Sequence, residues 1–234
     1  MSALVDSLQA ATGLITAGDG KLAEIVVLSL RVSLSAVGLA ALFGLPLGAL
    51  LAVGRFPGRQ ATIIIINGFM GLPPVVVGLL VYLLLSRAGP LGPFGLLFTP
   101  AAMIAAQTIL ITPIIAALAR QIVADAWSEY HEQLRSLGAG PWRASLSLLW
   151  DTRFSLFTAL LAGFGRAAAE VGAVMIVGGN IDGVTRVMTT TIALETSKGD
   201  LPLALALGLV LIALILMVNT AAHLTRQWAA RRYG

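Results

Sequence analysis

Five stretches of this chain are too long and too apolar for a packed aqueous core: residues 25–54, 61–86, 100–123, 154–178 and 201–225. A helix needs about 20 mainly apolar residues to cross the hydrocarbon of a bilayer. The runs are rich in Leu and Ala and lack period-2 alternation, so they read as helices rather than barrel strands. Composition agrees, with 58% of residues hydrophobic and 11% charged, where a soluble domain carries roughly 25% charged residues. The expected fold class is all-α: a polytopic membrane protein with about five transmembrane helices in one domain, residues 1–234.

The absence of cysteine excludes disulfides, thiolate metal sites and cysteine nucleophiles. A net charge of +4 points to basic loops beside a membrane rather than to nucleic acid. Residues 1–20 carry Asp6 and Asp19 and lack a basic start, so no cleavable leader is expected there. Ser2 to Ala17 is too short of apolar residues to span and reads as an interfacial helix.

Orientation follows from the loop cations. Arg55, Arg59, Arg120, Arg135, Arg143, Arg153, Arg226, Arg231 and Arg232 share one side of a five-span chain, against Lys21, Arg87, Arg186 and Lys198 on the other. Nine against four places the N-terminus and residues 1–24 outside, the 124–153 loop and the C-terminus in the cytoplasm, and the 178–200 loop outside. Pro46, Pro73, Pro74 and Pro113 punctuate the spans as candidate kinks. Small residues, such as Gly44 and Gly48 in the first span and Gly163 in the fourth, permit close helix approach.

The 124–153 loop is the polar exception. Trp127, Tyr130, Leu134 and Leu137 recur at helical spacing, and Ser128 stands where a helix cap belongs. Gly138 and Gly140 stop that helix, Pro141 starts another, and Trp142, Leu146 and Leu149 continue an apolar stripe. The expectation is two short amphipathic helices joined by a tight turn. The residues alone leave two occupants for the stripe, lipid headgroups or another protein.

Two ionisable residues lie within the fourth run. Arg166 and Glu170 are four apart, hence on one helix face, where they can pair. They read either as a structural pair or as part of a polar path, since charges in a membrane face the bundle interior. Residues 178–200 are rich in Gly, Thr and Asn. Asn180, Thr189 and Thr190 could offer neutral hydrogen-bond donors to an anion there, or belong to an ordinary outer loop. His131 and His223 stand far apart, so no metal site is expected. Asp182, Glu195 and Asp200 read as solvated loop charges.

Glu132, Gln133 and Leu134, three residues and then Gly138 resemble the EAA loop of membrane subunits of binding-protein-dependent ABC importers. Glu132 and Gly138 match that motif and Leu148 falls on its later Ile position. Gln133 and Leu134 replace both alanines, and Trp150-Asp151 replaces the Leu-Pro ending. Gly71 to Gly92 and Gly165 to Asp200 are similar to oxyanion permeases, the latter to the tungstate-specific group. The resemblance implies the type I ABC importer permease fold with a cytoplasmic coupling helix pair. It implies a homodimer served by a cytoplasmic ATPase dimer and an extracytoplasmic tungstate-binding protein. ATP and Mg would sit on the ATPase, since the chain has no phosphate-loop motif. Tyr130, Glu132, Leu134, Leu137, Gly138 and Trp142 become the ATPase-coupling residues, and Arg166, Glu170, Asn180, Thr189 and Thr190 the candidates for the translocation path. The chain itself would have no catalytic residue and no cofactor, in the prokaryotic inner membrane. A molybdate or sulfate permease is the neighbouring alternative. A stand-alone secondary anion transporter or a membrane-embedded enzyme is the alternative from another class.

Overall fold

The computed structural model describes residue 13 and residues 20–233, with side chains of the last helix as far as Leu224. The interfacial helix expected at Ser2–Ala17 falls, apart from Gly13, outside the described residues. The described chain is helical, in the order α1 (Gly20–Val53), α2 (Arg59–Phe69), α3 (Pro74–Leu85), a 3-10 turn (Gly92–Phe94), α4 (Pro100–Ser136), α5 (Pro141–Asp151), α6 (Arg153–Ala168), α7 (Gly172–Gly178), α8 (Met188–Lys198) and α9 (Leu201–Tyr233). Helices α1, α4 and α9 are each long and apolar enough to cross a membrane. The broken pairs α2–α3 and α6–α7 bring the count of candidate spans to as many as five.

Three departures from the expected spans have local causes. The second run, expected as one helix over 61–86, is interrupted before Pro74, which opens α3 where its missing N–H costs no helix bond. The chain crosses that interruption through turns, with Gly71 N–H donating to Gly68 O at 3.2 Å and Leu72 N–H to Phe69 O at 3.2 Å. The fourth run is likewise broken between Ala168 and Gly172. The third run does the reverse, since α4 continues for 37 residues through Pro113 and on to Ser136. Pro46 and Pro113 thus lie inside unbroken helices, each removing a single donor.

The chain divides into two compact units. One contains residues 35–73, 108–167 and 226–234. Its core is built on small residues. A Cβ added at Gly48 would meet Ala119 Cβ at 2.9 Å and Arg120 N at 2.8 Å, so α1 and α4 approach almost backbone to backbone there. Beside that seam, Leu51, Ile63, Ile66, Ala116 and Ala117 form one buried cluster. The end of α1 is tied off by Arg59, whose Nε donates to Leu51 O at 2.7 Å and whose Nη2 donates to Ala52 O at 3.4 Å. That guanidinium satisfies carbonyls that a helix end leaves without partners.

The other unit contains, among the described residues, residues 20–34, 74–107 and 168–225. Helix α3 packs on α7 through Gly78, where an added Cβ would lie 2.8 Å from Ala173 Cα. Met188 N–H donates to Ser29 Oγ at 2.9 Å, fixing the start of α8 to α1. Phe98 N–H donates to Val177 O at 3.0 Å.

Candidate functional site

The 124–153 segment is a helical hairpin, and its first arm is no separate helix. Ser128 was expected to cap a new helix. Its hydroxyl instead donates back to Asp125 O at 2.7 Å within α4, as serine does in a helix interior. The arm is the end of the membrane-length helix itself. The turn agrees with the sequence. Gly138 adopts φ +72, its N–H donates to Arg135 O at 2.9 Å, and Ala139 N–H donates to Leu134 O at 2.9 Å. These two bonds form a Schellman motif. Pro141 opens α5 after Gly140.

The faces of the hairpin divide differently from the expected stripe. Leu134, Trp127, Ala139 and Leu149 pack against a core cluster of Ala49, Ala52, Val53, Val123, Ala144 and Leu148. They fasten the hairpin to α1. Tyr130, Glu132, Leu137 and Trp142 are exposed, Leu137 at 80%. On α5 the outward stripe is Trp142, Leu146 and Trp150. Leu149 had been expected there, but one residue of helical rotation, about 100°, turns it to the core and brings Trp150 outward. The signal for Trp150 was the plain i, i+4, i+8 spacing from Trp142.

Beside this stripe lies a cavity of about 620 Å³, lined by Asp125, Glu129, Tyr130, Asp151, Thr152 and Ser155. Its three carboxylates had drawn no attention in the sequence because they come from two segments. The Tyr130 hydroxyl is pushed above its ordinary value. Its hydrogen bond to Glu129 is the main cause, followed by the carboxylate's negative charge. The hairpin therefore presents a face with both apolar and acidic parts.

Arg166 and Glu170 do not share a helix. Arg166 lies in α6, and Glu170 follows its end. Glu170 is 4% exposed, and its Oε1 accepts from Ala173 N–H at 3.1 Å. A carboxylate at the start of α7 satisfies a donor that the helix leaves unpaired and suits its dipole.

The 178–200 segment is more ordered than a loop, because it contains α8 and four buried threonines, Thr185, Thr189, Thr190 and Thr191. Thr189 Oγ1 donates to Glu170 O at 2.9 Å. Thr190 and Thr191 hydroxyls donate to Val187 O at 3.0 and 2.7 Å. These hydroxyl protons are spent inside the protein. Thr185, missed in the sequence, joins the segment together by donating to Gly178 O at 2.6 Å and accepting from Ile181 N–H at 2.9 Å. Gly179 and Asn180 both take left-handed backbone, φ +71 and +51, a combination that reverses the chain after α7. Asp182 and Glu195 are paired, with Arg186 at 2.9 Å and Lys198 at 2.8 Å, and Asp200 Oδ1 accepts from Leu203 N–H at 3.1 Å.

Residues 44–234 match the family described as binding-protein-dependent transport system inner membrane component. The chain belongs to that family. As an inner membrane component of an ABC importer, it is also similar to curated relatives over most of its length. It is 41% identical over 218 residues to a probable anion ABC transporter permease protein of Haloferax volcanii, covering 91% of this chain and 94% of that one. It is 39% identical over 223 residues to a tungstate uptake system permease protein of Peptoclostridium acidaminophilum, covering 95% and 98%. A sulfate transport system permease protein of Synechococcus elongatus is 28% identical over 222 residues, covering 90% and 78%.

Proposed function

We propose that this permease imports tungstate, received from an extracytoplasmic binding protein and moved by alternating access at the expense of ATP hydrolysed on a separate subunit pair. The choice of anion is supported by identity: 39% to a tungstate uptake permease across 95% of the chain, against 28% to a sulfate permease. Molybdate and sulfate are the competing cargoes, and the assay below separates them.

The observation that carries the mechanism is the hairpin. Its inner side is anchored to α1, while Leu137 and Trp142 are left 80% and 54% exposed. An apolar surface of that kind, rimmed by acids, suits a groove in a partner protein. In this reading the ATPase pair grips Tyr130, Glu132, Leu137, Gly138 and Trp142, with Leu134 holding the lever from within. The hairpin faces the cytoplasm, in keeping with the excess of Arg on its side, and the N-terminus lies outside. A second copy of the chain completes the transporter. Helix α9, only 17% buried along its apolar window against 50% for α1 and 56% for α4, offers surface for lipid or for that copy. Arg166, Glu170, Asn180, Thr189 and Thr190 remain the candidates for the path. The threonines would serve it only in a state that redirects their hydroxyls.

The test is reconstitution with the ATPase and binding protein. ATP hydrolysis should rise with tungstate-loaded binding protein and much less with molybdate or sulfate. Equal stimulation by all three refutes the tungstate assignment, and no stimulation by any refutes the coupling scheme.

A further inference from the structure

Arg31 is the one charged residue of the first expected span, residues 25–54. The structure gives it company. Lys21, Glu24 and Arg31 share one face of α1, and they line a cavity of about 720 Å³ together with Asp182 and Arg186. Residues more than 150 positions apart thus bring three cations and two carboxylates to one concave surface. Ionised groups are rare on membrane helices and gather where water or an ion is handled.

Arg186 is held for such use. Its Nη1 donates to Asp182 Oδ1 at 2.9 Å and its Nη2 to Asn180 O at 3.4 Å. A guanidinium oriented by one carboxylate at the cavity wall suits a tetrahedral oxyanion. The surplus of one positive charge favours an anion, and the two carboxylates keep the hold weak enough for release.

We propose that this cavity is an acceptance site for a divalent oxyanion, with Arg31 and Arg186 as its principal donors and Asp182 and Glu24 as its moderators. The proposal rests on the reading of the chain as an oxyanion importer. In that reading the site lies on the outer side and receives the anion as the binding protein lets it go.

The experiment measures tungstate binding to the full-length chain in nanodiscs, without binding protein, by equilibrium dialysis. Arg31→Gln and Arg186→Gln should each weaken binding by about tenfold, the scale of one lost charge-assisted contact. Arg31→Lys should retain part of the affinity. Asp182→Asn should tighten binding several-fold, a change in the opposite sense that misfolding cannot imitate. Unchanged affinity in Arg31→Gln, or no binding by the wild type at millimolar tungstate, overturns the site. So does loss of binding-protein capture in Arg31→Gln while tungstate affinity stays the same, because the cavity would then be a protein-docking surface. Preference for molybdate or sulfate with the same arginine dependence upholds the site and removes the tungstate reading alone.

Discussion

Valine at position 138 should disconnect ATP hydrolysis from transport while leaving the complex assembled. Gly138 has φ +72 and nothing within 4 Å of an added Cβ, so the Cβ itself meets no neighbour and the cost of adding it arises in the backbone. Left-handed backbone costs an ordinary L-residue roughly 1–2 kcal/mol, and a β-branched residue more. Each 1.4 kcal/mol is a factor of about ten, so the Schellman turn loses about that factor against opened forms. Opening would release the bonds to Arg135 O and Leu134 O and free Leu137 and Trp142 from their mutual placement. Asn tolerates this backbone, so Gly138→Asn should be mildest, Gly138→Ala intermediate and Gly138→Val severe. Gly140 supplies the control. It has φ −69 and also has open space around an added Cβ, so Gly140→Ala should fall within about 0.5 kcal/mol of wild type. The assay compares tungstate uptake per ATP in proteoliposomes with co-purification of the ATPase. If Gly138→Val behaves like Gly138→Asn, or if Gly140→Ala is equally damaging, turn geometry is not what transmits the stroke.

Gly48→Val should lower thermal stability by about 1–3 kcal/mol, since its Cβ alone would stand 2.8 Å from Arg120 N; an unchanged melting temperature in nanodiscs refutes the close seam between α1 and α4. Thr185→Val should cost about 1–3 kcal/mol, because it leaves Gly178 O and Ile181 N–H without the bonds at 2.6 and 2.9 Å; hydrogen exchange at Ile181 checks this, with unaltered protection the contrary result. Glu129→Gln should lower the Tyr130 titration midpoint. The carboxylate stabilises the neutral phenol by accepting its hydrogen bond and repels the phenolate; folding therefore favours the protonated form, an advantage present below the ordinary phenol value near 10 and lost as pH rises through the raised one. Phenolate absorbance against pH, compared with a Tyr130→Phe background, reads the shift, and an unmoved midpoint contradicts the assigned cause.

The long spans were legible because lipid demands continuous apolar helix, and α1, α4 and α9 meet that demand by composition alone. The hairpin turn was legible too, since a left-handed stop at Gly138 and a helix start at Pro141 have few substitutes. What the sequence concealed were continuities and breaks. The fall in hydropathy after Val123 looked like a helix end, yet nothing there breaks backbone hydrogen bonding, so α4 runs on. Between Ala168 and Gly172 hydropathy stays high, and it is Glu170's carboxylate, bonded to Ala173 N–H, that supports a fresh start. Arg59 counted as one more loop cation, while its bond to Leu51 O depends on a reversal of the chain that no local pattern announces. The threonines were read either as donors to an anion or as part of an ordinary outer loop, because their residue type is polar. Which way a hydroxyl points is decided by the nearest unpaired carbonyl.

The unbroken passage of α4 from Pro100 to Ser136 sets a limit on how the molecule can respond. At about 1.5 Å per residue its 37 residues extend for roughly 55 Å, well beyond a hydrocarbon thickness of about 30 Å. A push at the tip therefore meets no break in the helix before Pro113. Whatever compliance the shaft has is concentrated near Pro113, where one rung of the ladder is missing, so a small tilt at the Ser136 end is carried along the helix as far as that proline before it can be taken up.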